Sequence, residues 1–429
     1  MNRSGVFILL LSAICAAQTK APASAPQSFA LSKVTTSGSK RFAEADIVKA
    51  TGLKVGGRVT ADDLKQAADR LGQSAVFAQA SYSFNGETAD FTVVDAEQFV
   101  PASFENFIWF SDADLIQLVH SSVPLFLGDL PLAGNLSDQV AVVLDAILKE
   151  KGIQGHTLSA LQSSPAGQPL AMQFHIEGVS ENIAEIRFPG AAPERLPRLQ
   201  AAVKGLLGAK YFKSPVAEQV KRAVSPIYGK LGYLKAQVGS TKAVILKDDP
   251  AQPAVAVEVS IQEGDAYTFA GVNWTGVNAI PPTELAQVIN LKPGTPADTT
   301  QLGGGVAAAK HIYETKGYML ALVKATATLD PEKRTAVFNL IVDEGSLYHM
   351  GKLEVQNLDP ARAALVQRVW EIHEGDVYIA DYVNTFLTKH PVELAVLDGW
   401  TSRYTQTVHD DTHVVDLVLK LEKIRADAK

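Results

Sequence analysis

Two landmarks return along this chain at one spacing, and a sequence that repeats itself is built from small modules rather than around one core. The first is an apolar run that closes on an acidic residue and a glycine. Val255–Gly264 (VAVEVSIQEG) and Ala336–Gly345 (AVFNLIVDEG) place those glycines 81 residues apart, and Ala171–Gly178 (AMQFHIEG) lies one step earlier. The second is a glycine followed by a large apolar residue, at Gly152-Ile153, Gly232-Tyr233, Gly317-Tyr318 and Gly399-Trp400. Both keep a period near 80 residues. The length of 429 residues points the same way, because single cores rarely grow past about 250 to 300 residues.

Within one period the hydrophobic pattern changes in a fixed order. After the acidic-Gly corner, Tyr267–Trp274 reads as a strand, and Pro282–Leu291 sets Leu285, Val288 and Ile289 at helical spacing. Lys292-Pro293-Gly294 breaks that helix; a second follows Thr295-Pro296 with Leu302, Val306, Ala309 and Tyr313 on one face, and Gly317 stops it. Met319–Thr328 then alternates, Asp330-Pro331-Glu332 turns, and Thr335–Val342 returns as the second arm of a hairpin. The order is β-α-α-β-β. The third copy repeats it with Ile183–Phe188, a helix carrying Val216, Val220, Ile227 and Leu231, and a hairpin of Leu234–Leu246 with Val255–Ile261. The fifth runs from Gly351–Val355 to a hairpin of Ser402–Val408 with His413–Leu421, and Pro391 predicts a kink in its second helix. The second has a first strand Phe104–Phe110, a helix opened by Ser111 and Asp112, and a long helix with Val140, Leu144, Ile147 and Leu148. The first copy is the shortest and has Val76-Phe77 where the others have their Gly-apolar pair.

The amino terminus reads as an export signal: Arg3, then an apolar run from Val6 to Ala17, with cleavage expected after Ala17. That run is shorter than the roughly 20 residues of a membrane-spanning helix. Cys15 is the only cysteine. Lipidation there is disfavoured because Ile14 precedes it where a lipoprotein signal wants a small residue. Thr19–Gln27 (TKAPASAPQ) is a flexible leader by composition. A net charge of −7 with no basic stripe argues against nucleic-acid binding.

Catalytic and metal motifs are wanting. His409 and His413 in HDDTH flank a turn and lack a third ligand. His373-Glu374 sits in a helix break without the HExxH spacing. Gly303-Gly304-Gly305 falls inside a helix with no Lys-Ser/Thr after it, which makes close packing or local fraying the natural reading of a costly run of glycines. Asp62-Asp63 and Asp410-Asp411 fit a helix start and a turn. No cofactor, metal or enzyme is expected.

The recurrence resembles the POTRA (polypeptide-transport-associated) repeats of outer-membrane assembly and two-partner secretion proteins, through Gly264 and Gly345, the breaks LKPG and HEGD, and Gly317-Tyr318. The resulting expectation is an α+β tandem array of five small βααββ POTRA-like domains after a cleavable signal peptide. The segments are residues 1–17 as signal, 18–28 as leader, and 29–98, 99–177, 178–264, 265–345 and 346–424 as repeats. In that family a β-barrel follows the last repeat; here Lys429 lies five residues after Ile424, which leaves no room for eight strands. What the resemblance implies is therefore a periplasmic role, peripheral at the outer membrane, in binding unfolded or assembling envelope polypeptides by addition to a sheet edge. By resemblance that edge is the second strand, represented by Leu234, Lys235, Ala236, Gln237 and Val238 and by Met319, Leu320, Ala321, Leu322 and Val323. Tyr233, Tyr318 and Trp400 are expected to plug cores. A second reading is a structural adaptor for one folded partner, such as a separately encoded barrel or a division protein.

Overall fold

The computed structural model describes residues 27–423 apart from residue 250. The expected signal peptide and cleavage site, Cys15 and most of the expected leader lie outside the described residues. The chain forms two compact units, one of residues up to Ser180 with the insert Asp249–Gln252, the other of Glu181–Asp248 and the chain from Pro253 on.

The first unit opens with β1 (Ser28–Ala30), β2 (Lys33–Ser37), α1 (Glu44–Thr51), β3 (Arg58–Thr60), α2 (Ala61–Gln73), β4 (Phe77–Phe84) and β5 (Thr88–Asp95). It continues through β6 (Phe99–Phe104), α3 (Asp112–Ser122), β7 (Asp129–Pro131), α4 (Leu136–Glu150), β8 (His156–Ser163) and β9 (Pro169–Glu177). Two of its helices start where side chains satisfy the orphan N–H groups of a first turn. Thr60 with Asp63, and Ser111 with Asp114, close reciprocal capping boxes.

The second unit holds three further copies. One comprises β10 (Asn182–Arg187), α5 (Leu196–Val203), α6 (Lys213–Lys230), β11 (Gln237–Lys247) and β12 (Ala254–Gln262). The next comprises β13 (Thr268–Thr275), α7 (Pro282–Gln287), α8 (Thr299–Thr315), β14 (Leu322–Asp330) and β15 (Thr335–Asp343). Last come β16 (His349–Gln356), α9 (Pro360–Val369), α10 (Tyr382–Lys389), β17 (Trp400–His409) and β18 (Val414–Lys423).

Every copy is a mixed α+β layer pair with the same strand order. The third strand is central, parallel to the first and antiparallel to the second: β2-β5-β4, β10-β12-β11, β13-β15-β14 and β16-β18-β17, with β7-β6-β9-β8 as the variant that adds a short strand. The central strand sends alternate residues to the helices, as a pleat requires. In β15 these are Ala336, Phe338, Leu340 and Val342, all buried, while Ile341 on the other face is 49% exposed. The stripe that α6 buries is Val216, Val220, Val224 and Tyr228. Ile227 and Leu231, expected on that stripe, are only half-buried beside it. Gly305 is buried in α8 because a Cβ there would meet Ile289 Cδ1 at 2.7 Å and the Val288 carbonyl at 2.9 Å, so the close-packing alternative holds for it; Gly303 and Gly304 face open space. At Pro391 the helix ends rather than kinks: α10 stops at Lys389, as the extended preference of a residue before proline favours.

Inside the second unit consecutive copies are joined the same way twice. Gly232 and Gly317 take left-handed φ of 79° and 89° at the ends of α6 and α8. The carbonyl of each then accepts the N–H of the first buried residue of the next copy, Tyr267 or Tyr348, at 2.8 Å. A Cβ at Gly232 would lie 2.2 Å from the Tyr267 carbonyl, so glycine is required for the approach as well as for the turn.

Candidate functional site

A three-stranded sheet has two edges, and in these copies the two differ. The first strand is met on its outer side by the chain's own connection between the helices. Ile183 N–H donates to Ala209 O at 2.9 Å, Phe269 N–H to Thr295 O at 2.7 Å and Met350 N–H to Asp376 O at 2.7 Å; in return Gly208, Gly294 and Gly375 donate to the carbonyls of Ile183, Phe269 and Met350. In the first unit Gly56 and Gly57 bracket Leu31 in the same manner, and β7 pairs with β6. The second strand, by contrast, has a neighbouring strand on one side only among the described residues, in β4, β8, β11, β14 and β17 alike. β14 and β17 contain no buried residue at all. Each edge of the second unit bears an exposed cation, Lys242, Lys324 or Arg403, the usual guard against indiscriminate strand pairing. The chemistry left open is a row of main-chain donors and acceptors that an extended polypeptide would complete.

The expected edge residues fall only partly on these strands. β11 begins at Gln237, so Gln237 and Val238 lie on it while Leu234, Lys235 and Ala236 do not; β14 begins at Leu322, so Leu322 and Val323 lie on it while Met319, Leu320 and Ala321 do not. The cause is a second turn after the helix stop. Tyr233 N–H reaches back to Tyr228 O and Tyr318 N–H to Tyr313 O, both at 3.0 Å; then Ala236 N–H bonds Tyr233 O and Ala321 N–H bonds Tyr318 O. Ala321 is fully buried, unlike Leu320 and Leu322 on either side of it. Gly399-Trp400 is a different feature from the glycine pairs it matches in sequence. Trp400 already pairs with Lys423 as the first residue of β17, which is the place of Leu322 opposite Asp343. In the first copy Ala75 takes the left-handed position, with φ 57°.

The sequence also concealed a carboxylate clasp at the end of the third strand. Asp95 accepts the N–H groups of Lys40 and Arg41, Glu263 that of Ala192, and Glu344 those of Asn278 and Ala279, so in three copies an acid ties down the loop after the first strand. Beside each clasp a left-handed glycine, Gly38, Gly190 or Gly276, presses on the carbonyl of Val93, Ile261 or Val342. Tyr228 and Tyr313, buried on the second helices, donate their hydroxyls to Glu263 and Glu344 at 2.9 and 3.0 Å. The Arg195 guanidinium, bonded to both Glu263 oxygens, is the main influence that lowers that carboxyl to about 2. At Glu344 burial pushes the carboxyl up, but the Asn278 and Ala279 N–H groups and the Tyr313 hydroxyl outweigh it and the net direction is down. Tyr233 and Tyr318 are half-buried and stand edge-on against Tyr228 and Tyr313. Trp400 is half-buried against the core of the last copy.

The remaining polar motifs are structural. His409 bonds Asp416 at 3.0 Å, His413 stands edge-on against Tyr348, and Asp410 accepts the Tyr348 hydroxyl at 2.5 Å. Among the described residues no cluster of three or more His, Cys, Asp or Glu could hold a metal, and no helix is long and apolar enough to cross a membrane.

Residues 267–345 match the POTRA family model, the surface antigen variable number repeat. The fourth copy is thus matched by sequence, and the other copies share its strand order. Among individual proteins, the chain is 26% identical over 235 residues to a putative outer membrane protein assembly factor of Treponema pallidum (strain Nichols); the match covers 53% of this chain and 28% of that protein. Solved structures similar to it include POTRA3-5 of BamA from Haemophilus influenzae, with 19% identity, 57% of this chain and 96% of that one covered, and a TM-score of 0.45. POTRA1-3 of the periplasmic domain of Omp85 from Anabaena aligns over the same shares with 15% identity and a TM-score of 0.27.

Proposed function

We propose that this chain is a periplasmic, non-enzymatic scaffold for outer-membrane protein assembly, which takes up extended envelope polypeptides as added strands on the free edges of β11, β14 and β17. The observation that carries the reading is the asymmetry of the sheets: the chain's own loops meet the first-strand edge, whereas the second-strand edge has no strand beside it among the described residues. The export signal expected from the sequence and the likeness to a putative outer membrane protein assembly factor of Treponema pallidum support the compartment and the process. Main-chain pairing gives affinity with little demand on sequence, which suits unfolded or assembling clients.

Hydrogen exchange with an unfolded envelope peptide tests this. Protection is expected along β11, β14 and β17, and it should vanish when alternate peptide nitrogens of the client are methylated, since methylation removes the donors without changing the side chains. Equal protection by the methylated peptide, or protection of one surface patch by a single folded partner, would replace this reading with that of an adaptor.

A further inference from the structure

The covering of the first-strand edge reaches only the start of that strand, in the third copy as in the fourth and fifth. Asn182 pairs with Lys210 and Ile183 with Gly208 and Ala209, and there the cover ends. It ends at a bulge: the register of β10 against β12 slips between Ile183 and Glu185, with Ala184 as the additional residue. From Ala184 to Arg187, β10 has β12 on one side and, among the described residues, no strand on the other. Alongside this open stretch runs a groove of about 340 Å³ between β10 and α5. Buried Ile186 and Val203 form its floor; Ala184, Ala201 and Leu207 line its sides, and Leu207 is 47% exposed.

The groove exists because residues 184 and 201 are alanines, whose side chains do not bridge from strand to helix. Its rim carries two charges. Glu185 is engaged by Arg187 through two hydrogen bonds of 2.9 and 3.0 Å, which leaves the exposed Lys204, at the end of α5, to meet an incoming group.

We propose that this groove docks an extended polypeptide segment that pairs with the open edge of β10, sets alternate apolar side chains on Ile186, Val203 and Leu207, and brings an acidic residue to Lys204. Three features select that occupant. The open edge accepts an extended backbone, the apolar floor beside a strand suits side chains that alternate with period two, and the remaining rim charge is positive. The inference rests on the reading of the chain as polypeptide-binding only for the class of ligand, because the edge is a different one. Where the reading at β14 and β17 rests on main-chain pairing, the β10 groove adds the reading of a side-chain pattern.

The test uses the full mature chain and two labelled ten-residue peptides of one composition. One alternates apolar and polar residues and carries a terminal glutamate; the other is scrambled. The alternating peptide is expected to bind about tenfold more tightly, a margin within reach of a few buried side chains. Ala201→Trp, which fills the groove from an exposed position, should remove that margin while the scrambled peptide is unaffected. Lys204→Glu should weaken the glutamate peptide and favour its lysine counterpart. A margin that survives Ala201→Trp overturns the proposal, and if that variant unfolds, unchanged affinities in Lys204→Glu overturn it instead. Protection of β14 and β17 in the same samples would then leave the wider reading standing, whereas no binding by either peptide and no protected edge would remove both.

Discussion

Glu263 gathers four hydrogen bonds on one carboxylate: two from the forked Arg195, one from the Ala192 N–H and one from the Tyr228 hydroxyl. Both charged side chains are mostly buried, at 16% and 13% exposure, so the pair is screened far less than a surface ion pair. Its carboxyl is held at about 2 against an ordinary 4.5. A depressed folded-state pKa means that the stabilisation is complete above the unfolded value near 4.5 and is lost as the pH falls from there through 2, by an amount on the order of 3 kcal/mol at most. Glu263→Gln should therefore lower the melting temperature of the second unit at pH 6, and the gap to the parent should close toward pH 2. A gap independent of pH would show that the loss lies in packing. The acid-Gly corner was plain in the sequence, but the clasp was not, because the Ala192 and Asn278 amides lie 71 and 66 residues away from their acids.

At the scale of an element, the fourth copy shows where pattern reading succeeds and where local geometry overrides it. Met319–Thr328 reads as one edge strand in sequence, yet strand pairing starts only at Leu322 and Ala321 points into the core. Ala321→Asp should unfold the fourth copy, since it buries an unpaired charge, whereas Leu320→Ser and Leu322→Ser should each change its stability by no more than about 0.5 kcal/mol. Thermal melts of the three variants distinguish the turn from a strand running through residue 319. The order of strands and helices was legible because periods of 3.6 and 2 are local properties. The turn was not, because it depends on a helix end and a tyrosine bonding backwards across Gly317. Gly399-Trp400 misled for the same reason: glycine before an aromatic residue is shared by a helix stop and by the start of a strand. The strand order was beyond pattern reading too, since the first and third strands that lie side by side are the most distant in sequence.

For the molecule as a whole, the two joints of the second unit matter most. A Cβ on Gly317 would come within 2.6 Å of Val377 and 2.9 Å of Leu347, at a φ of 89° that side chains resist. Gly317→Val should thus loosen the fourth copy from the fifth. Chymotrypsin would cut at Leu347 and Tyr348 faster than in the parent chain, while each copy keeps its own protected core. An unchanged cleavage rate would mean that other contacts hold the joint. In both joints the same glycine stops a helix and receives the following tyrosine, so a stretch from one acidic-Gly corner to the next carries a plug at its start and a socket at its end. Tandem duplication of such a stretch would insert a whole copy whose ends already fit its neighbours, and an array built this way can lengthen or shorten in evolution without inventing a new interface.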